Sequence, residues 1–270
     1  MKYICLDTNV LLGCALINEA KQKPEHLEGL RNAMQIEDVQ LLMPEVIINE
    51  FESRIKEKKE EIENNIKHFG SYIKNSSLSE NDYNDLFLVI DGLIQRHNEL
   101  ISRVREHIEF IFQSAKCHKI LLDSNILVKS YIRQISKKRP FNEGKYSKNR
   151  IMPISIDCVI IESLIHFLNL MNDSANILCF CSGDKDFYEN ESYRDLHPDI
   201  KNAIPVKVNA YRYLPNLLHK EFGQHIKDDQ IKEYIRLNET MVLNYSRGSV
   251  AYDDKGNMFD VNVPVIVDID

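Results

Sequence analysis

No stretch of this 270-residue chain approaches the roughly 18 consecutive apolar residues that a membrane-spanning helix needs. Its amino terminus lacks a basic segment followed by a long apolar core, so no secretory leader is expected and a cytoplasmic location follows. The cysteines Cys5, Cys14, Cys117, Cys158, Cys179 and Cys181 form no CxxC pair and have no histidine cluster beside them. Most lie in apolar runs, which suits small buried hydrophobes in a reducing compartment and excludes a disulfide framework or a zinc site. A phosphate-binding glycine loop, a GxSxG elbow and an HExxH helix are all missing, and the histidines are scattered. Positive charge is also short: Lys and Arg number 34 against 41 Asp and Glu, a formal net charge of −7. That excludes a generic basic nucleic-acid coat, although a local basic strip beside an acidic cluster is compatible with the sum.

The composition is otherwise that of a globular protein, 43% hydrophobic and 28% charged, long enough for one large domain or a domain with an appendage. Tyr3-Ile4-Cys5-Leu6 is a short apolar strand that ends at Asp7, after which Thr8 and Asn9 cap a helix beginning at Val10. Helices are expected over 24–36 and 45–69, with a strand at Val39–Met43 between them. After a polar break at 75–81, helices over 82–115 and 120–135 complete a mostly helical insertion spanning about 56–135. Ile156 to Leu170 has a strong helical face, Ile177–Cys181 reads as a central parallel strand, and Ile204–Val208 as one more strand. The alternation defines an α/β fold with a central, mostly parallel sheet flanked by helices over 1–209. An accessory module is expected over 210–270: helices at 214–222 and 228–237, then strands over 240–252 and 258–269 around the turn Asp253-Asp254-Lys255-Gly256.

The carboxylates fall at telling places. Asp7 ends the first strand, Glu50 lies one turn into the helix after the second, Asp157 opens the 156–170 helix, and Asp184 and Asp186 follow the strongest strand. Strand ends and helix starts share one side of a parallel α/β sheet, so these acids can converge on one cleft. Ionised carboxylates crowd together only around a cation, and an all-oxygen set suits Mg²⁺ or Mn²⁺. Such a site hydrolyses phosphodiesters by activating water and stabilising the leaving oxygen. Taken singly, each acid has a plainer explanation as a helix cap, a turn former or a solvated residue. Glu162, five residues beyond Asp157, points to another side of its helix, and Asp123 and Asp173 read as capping or surface residues.

These pieces resemble the PIN-domain nucleases, in their larger subgroup with a helical insertion. The matching segments are Leu6-Asp7-Thr8-Asn9, Pro44-Glu45-Val46-Ile47-Ile48-Asn49-Glu50, Ile156-Asp157-Cys158-Val159-Ile160, and Ser182-Gly183-Asp184-Lys185-Asp186-Phe187, with Lys138-Arg139-Pro140-Phe141 ahead of Asp157. The resemblance implies a metal-dependent endoribonuclease with Asp7, Glu50, Asp157 and Asp184 as the acidic set and Asp186 as an additional or substituting acid. It also implies that Asn9 orients Asp7 and that Ser182 stands where the family often has Thr. The family context adds a toxin, stress or defence role, an antitoxin-like regulatory protein and a homo-oligomer as partners, with single-stranded or tRNA-like RNA as substrate. The insertion and the tail lie outside the pattern of the smaller PIN toxins.

From Lys129 to Arg150 the chain holds eight Lys and Arg against the single acid Glu143. Placed just ahead of Asp157, this strip suits a phosphate backbone, with Arg139, Lys145, Lys148 and Arg150 as the nucleic-acid contacts. Phe141 and Tyr146 either stack on unpaired bases or pin the loop to the core. Two other readings stay open: a structure-specific DNA nuclease, and a non-catalytic PIN-like module that binds RNA or protein.

Overall fold

The computed structural model describes residues 1–15, 22–74, 80–142, 153–190, 193 and 195–223, the single positions 229, 232, 233 and 236, and two short strands at 250–252 and 258–260. Five parallel strands form the central sheet in the order β3-β2-β1-β4-β5, with β1 Lys2–Leu6, β2 Val39–Pro44, β3 Cys117–Ile120, β4 Ile177–Cys181 and β5 Lys207–Tyr211. The helices are α1 Thr8–Ala15, α2 Glu25–Ala33, α3 Glu45–Lys74, α4 Glu80–Gln113, α5 Ser124–Ile135, α6 Ile156–Met171, the short α7 Pro198–Lys201, and α8 Leu214–Phe222.

The two strands at the centre are buried because both faces carry apolar residues. Ile4, Cys5 and Leu6 of β1 and Leu178 to Cys181 of β4 are all fully buried, in the register Ile4↔Cys179, Cys5↔Phe180 and Leu6↔Cys181. Cysteine serves there as a small hydrophobe, as expected. The chain steps outward from β1 to β2 to β3, then returns to place β4 on the other side of β1. A parallel sheet opens a crevice at the carboxyl ends of its strands where such a reversal occurs. Asp7 follows β1 and Ser182 follows β4, so both stand at that crevice.

Three sequence expectations change here. The stretch over 56–135 is not a helical insertion throughout: β3 pairs with β2 in the sheet, and Ile101, Val104, Ile108 and Ile111 of α4 are buried in the core. A four-residue edge strand with the partly exposed sequence Cys117-His118-Lys119-Ile120 has no apolar alternation to announce it. The last strand of the sheet is displaced from 204–208 to Lys207–Tyr211, because the Ile204 N–H donates to the Ile200 carbonyl and closes the turn after α7. The sheet layer also continues past 209. Leu214, Leu217, Leu218 and Phe222 of α8 are buried in the same core as β1 and β4.

α5 has its polar side inward. Ser130, Arg133 and Gln134 are buried, while Val128, Tyr131, Ile132 and Ile135 face solvent. The reason is a set of ties to α6. Arg133 Nε donates to Glu162 Oε1 at 2.6 Å, and Gln134 binds the Ser155 N–H at 2.8 Å and the Pro153 carbonyl at 3.0 Å. In the tail, β6 Val250–Tyr252 pairs antiparallel with β7 Met258–Asp260. The break at 75–79, the end of the first helix beyond Ala15, the turn at 253–256, most of the 228–237 helix and the outer parts of both tail strands lie outside the described residues.

Candidate active site

Asp7 is held where β1 stops and α1 begins, and it is buried at 4% exposure. Three donors fix its carboxylate. The Thr8 N–H reaches Oδ1 at 2.7 Å, and Asn9 Nδ2 and Ser182 Oγ reach Oδ2 at 2.8 and 2.6 Å. Asn9 is oriented in turn because its Oδ1 accepts the Gly183 N–H at 3.0 Å. Ser182, fully buried, also accepts the Asp184 N–H at 3.0 Å. One hydroxyl thus couples the acid after β1 to the acid after β4. Asp184 Oδ1 caps the next turn by accepting the Asp186 N–H at 2.9 Å.

Glu50 reaches this group from α3. The Thr8 hydroxyl donates to Glu50 Oε2 at 2.7 Å, and Arg54 lies 3.9 Å from Oε1. Thr8 is a site residue that sequence reading gave only a capping role. Its partner is 42 residues away, and nothing local signals the contact. Glu50 also lines an open cleft of about 380 Å³ with Asn49, Ser53, Arg54 and Ile156. Asp157 follows Ile156 in the first turn of α6, half-buried, so the cleft separates the start of α3 from the start of α6.

Burial pushes the Asp7 carboxyl up to about 6, and the charges of Glu50 and Asp184 push the same way, against the lowering effect of Ser182 and Thr8. No Lys or Arg among the described residues pairs with Asp7. A buried carboxylate next to two others, itself without a Lys or Arg partner among the described residues, fits a hard divalent ion. As they stand, no three His, Cys, Asp or Glu side chains among the described residues are close enough together to hold one ion.

The remaining predicted residues are placed differently. Asp186 is 2% exposed, and its Oδ1 accepts from Arg139 Nη1 at 2.7 Å and Asn142 Nδ2 at 3.0 Å. Through that oxygen it anchors the loop after α5. Arg139 is correspondingly occupied by an acid of its own chain. Phe141 is buried at 5% exposure, which decides in favour of pinning the loop. Glu162 belongs to the buried Arg133 pair. Lys145, Tyr146, Lys148 and Arg150 lie outside the described residues.

A parallel α/β sheet reversing at β1, with hydrogen-bonded acids at the ends of β1 and β4 and a third on α3, places an acidic cluster at the switch point of the sheet. The family model of the PIN domain matches residues 4–187, and the chain belongs to the PIN-domain family. PIN domains are generally nucleases, commonly with divalent metals. No curated protein and no solved structure matches the chain. None of the described helices is long and apolar enough to cross a membrane.

Proposed function

We propose that the protein is a Mg²⁺- or Mn²⁺-dependent endoribonuclease acting on single-stranded or tRNA-like RNA, with Asp7, Glu50, Asp157 and Asp184 as the residues that hold the metal. The observation carrying this reading is Asp7 itself, buried without a cation, oriented by three donors and crowded by Glu50 and Asp184. A divalent ion supplies charge neutralisation and Lewis acidity at the phosphate. The chain supplies position. Ser182 and Asn9 fix the Asp7 oxygens, Thr8 holds Glu50, and the Ser182 hydroxyl sets the backbone at Asp184. Asp186 acts as a positioning residue, tying Arg139 and the 137–142 loop to the turn that carries Asp184. A cytoplasmic toxin or defence role under a regulatory protein extends the proposal on family kinship alone.

The test is cleavage of a mixed tRNA and single-stranded RNA pool with Mn²⁺, with Mg²⁺ and with EDTA. Wild type, Asp7→Asn, Asp157→Asn and Asp186→Asn are compared, with a matched DNA strand alongside. Metal-dependent RNA cleavage lost in the first two variants and retained, though slowed, in Asp186→Asn is the expected result. Cleavage of only the DNA strand would replace the substrate class. A folded wild type inert with every ion would overturn the nuclease reading.

A further inference from the structure

One more group stands at the carboxyl edge of the sheet. Arg212 directly follows Tyr211, the last residue of β5, and the Ser182 N–H donates to the Tyr211 carbonyl at 3.0 Å. Arg212 is therefore presented next to the turn that carries Asp184. Asn209 and Tyr211 send their side chains to Glu221 on α8. Arg212 lies in the bend just beyond the strand and has no bond to that acid. There its guanidinium lies over the Tyr193 ring at 4.0 Å and the Tyr213 ring at 5.0 Å.

The support beneath it is tied to the site. Tyr193 packs at 5.0 Å on Tyr188, whose hydroxyl sits 2.7 Å from the carbonyl oxygens of both Ser182 and Tyr211. Tyr193 itself has φ 55°, a left-handed backbone that L residues with large side chains rarely adopt. Other arginines in this region are committed: Arg133 to Glu162, Arg139 to Asp186 and Arg54 to Glu50 and Glu57. Among the described residues Arg212 has neither a carboxylate partner nor a hydrogen bond. A half-buried guanidinium backed by aromatic rings keeps its edge of N–H donors for an outside acceptor, and that fork matches a phosphate.

We propose that Arg212, carried on Tyr193, is a substrate-binding residue that takes a backbone phosphate of a polynucleotide next to the one delivered to Asp7 and Asp184. This rests on the nuclease reading above. A chain with net charge −7 repels a polyanion, so a cation left without an acid at the reaction face is where a strand is held.

The experiment is fluorescence anisotropy of a labelled single-stranded RNA of about 12 nucleotides in EDTA, titrated with wild type, Arg212→Gln, Arg212→Lys and Asp7→Asn at several salt concentrations. Melting curves establish that each variant is folded. Arg212→Gln is expected to weaken binding about 5- to 10-fold and to lower the salt slope by about one. Arg212→Lys should keep the slope but not the full affinity, because it loses the planar fork. Unchanged affinity and slope in Arg212→Gln, or no binding by wild type, would overturn the inference. Parallel cleavage with Mn²⁺ separates the two readings. Cleavage lost in Asp7→Asn together with normal binding by Arg212→Gln refutes Arg212 alone. Arg212-dependent binding with no cleavage under any ion refutes the nuclease and leaves Arg212 as a nucleic-acid contact.

Discussion

Replacing Asp7 with asparagine should stabilise the metal-free protein at alkaline pH and destabilise it at acid pH. The native carboxyl titrates at about 6 against an ordinary 3.8, raised by burial and by the charges of Glu50 and Asp184. Because the native state holds this proton to higher pH than the unfolded chain, the associated stability is full below about 3.8 and is lost as pH rises through about 6. At 1.36 kcal/mol per unit the loss by about pH 8 is about 3 kcal/mol. Asp7 is almost wholly buried, so solvent screening takes little from that figure. The amide introduced by the substitution does not titrate, but it meets the Asn9 amide donor, one hydrogen bond poorer at about 1 kcal/mol. Asp7→Asn should therefore be about 2 kcal/mol more stable than wild type near pH 8 and about 1 kcal/mol less stable near pH 3. Urea unfolding in EDTA across that range measures it, and titrating groups distant from Asp7 cancel in the difference between the two proteins. Adding Mn²⁺ near pH 8 should raise the wild type and leave the variant unmoved. A difference that stays constant with pH would mean Asp7 is not desolvated and crowded as described, and the argument for a metal at this acid would fall with it.

Glu162→Gln should cost about 3–5 kcal/mol in urea unfolding at neutral pH, since it leaves the buried Arg133 without its anion, while Mn²⁺ affinity of the folded variant stays unchanged. A loss of metal affinity would return Glu162 to the ligand set. Burial pushes the thiols of Cys5 and Cys181 well up, that of Cys158 to about 11 and that of Cys179 to about 12. Ellman's reagent near pH 8 should label these cysteines slowly in the native protein and all at once in denaturant, and fast native labelling of Cys5 or Cys181 would contradict the packing of β1 on β4.

Legibility in the sequence followed burial. The strands β1 and β4 and the helix α6 read clearly because both sides of a central strand, or a full helical face, must be apolar. β3 and β5 sit at the two edges of the sheet and carry His118, Lys119, Lys207 and Asn209, so they lack that signature. The acids at the ends of the legible strands were legible for the same reason: once β1 and β4 are placed, Asp7, Ser182 and Asp184 follow by position. Contacts that depend on distant segments had no such signal. Asp186 meets Arg139 across 47 residues and Glu50 meets Thr8 across 42. Setting the end of β5 at Val208 hid Arg212, because it moved the strand end away from the residue that follows it.

The helix α5 explains why a strip of positive charge does not translate directly into a nucleic-acid surface. Its buried side uses Gln134 to set the start of α6, and so the position of Asp157. Arg133 closes the same side on Glu162 and on the carbonyl of Arg139, whose own guanidinium reaches Asp186. Two of the cations in the strip are thereby neutralised inside the fold, fixing acids and loops around the crevice. A guanidinium paired at 2.6–2.7 Å with a buried carboxylate is not available to a phosphate without leaving that acid uncompensated. Recognition of a polyanion then falls to cations with no internal acid, and at the ends of β4 and β5 the described residues that meet this condition include Arg212, whose guanidinium is held over the Tyr193 and Tyr213 rings.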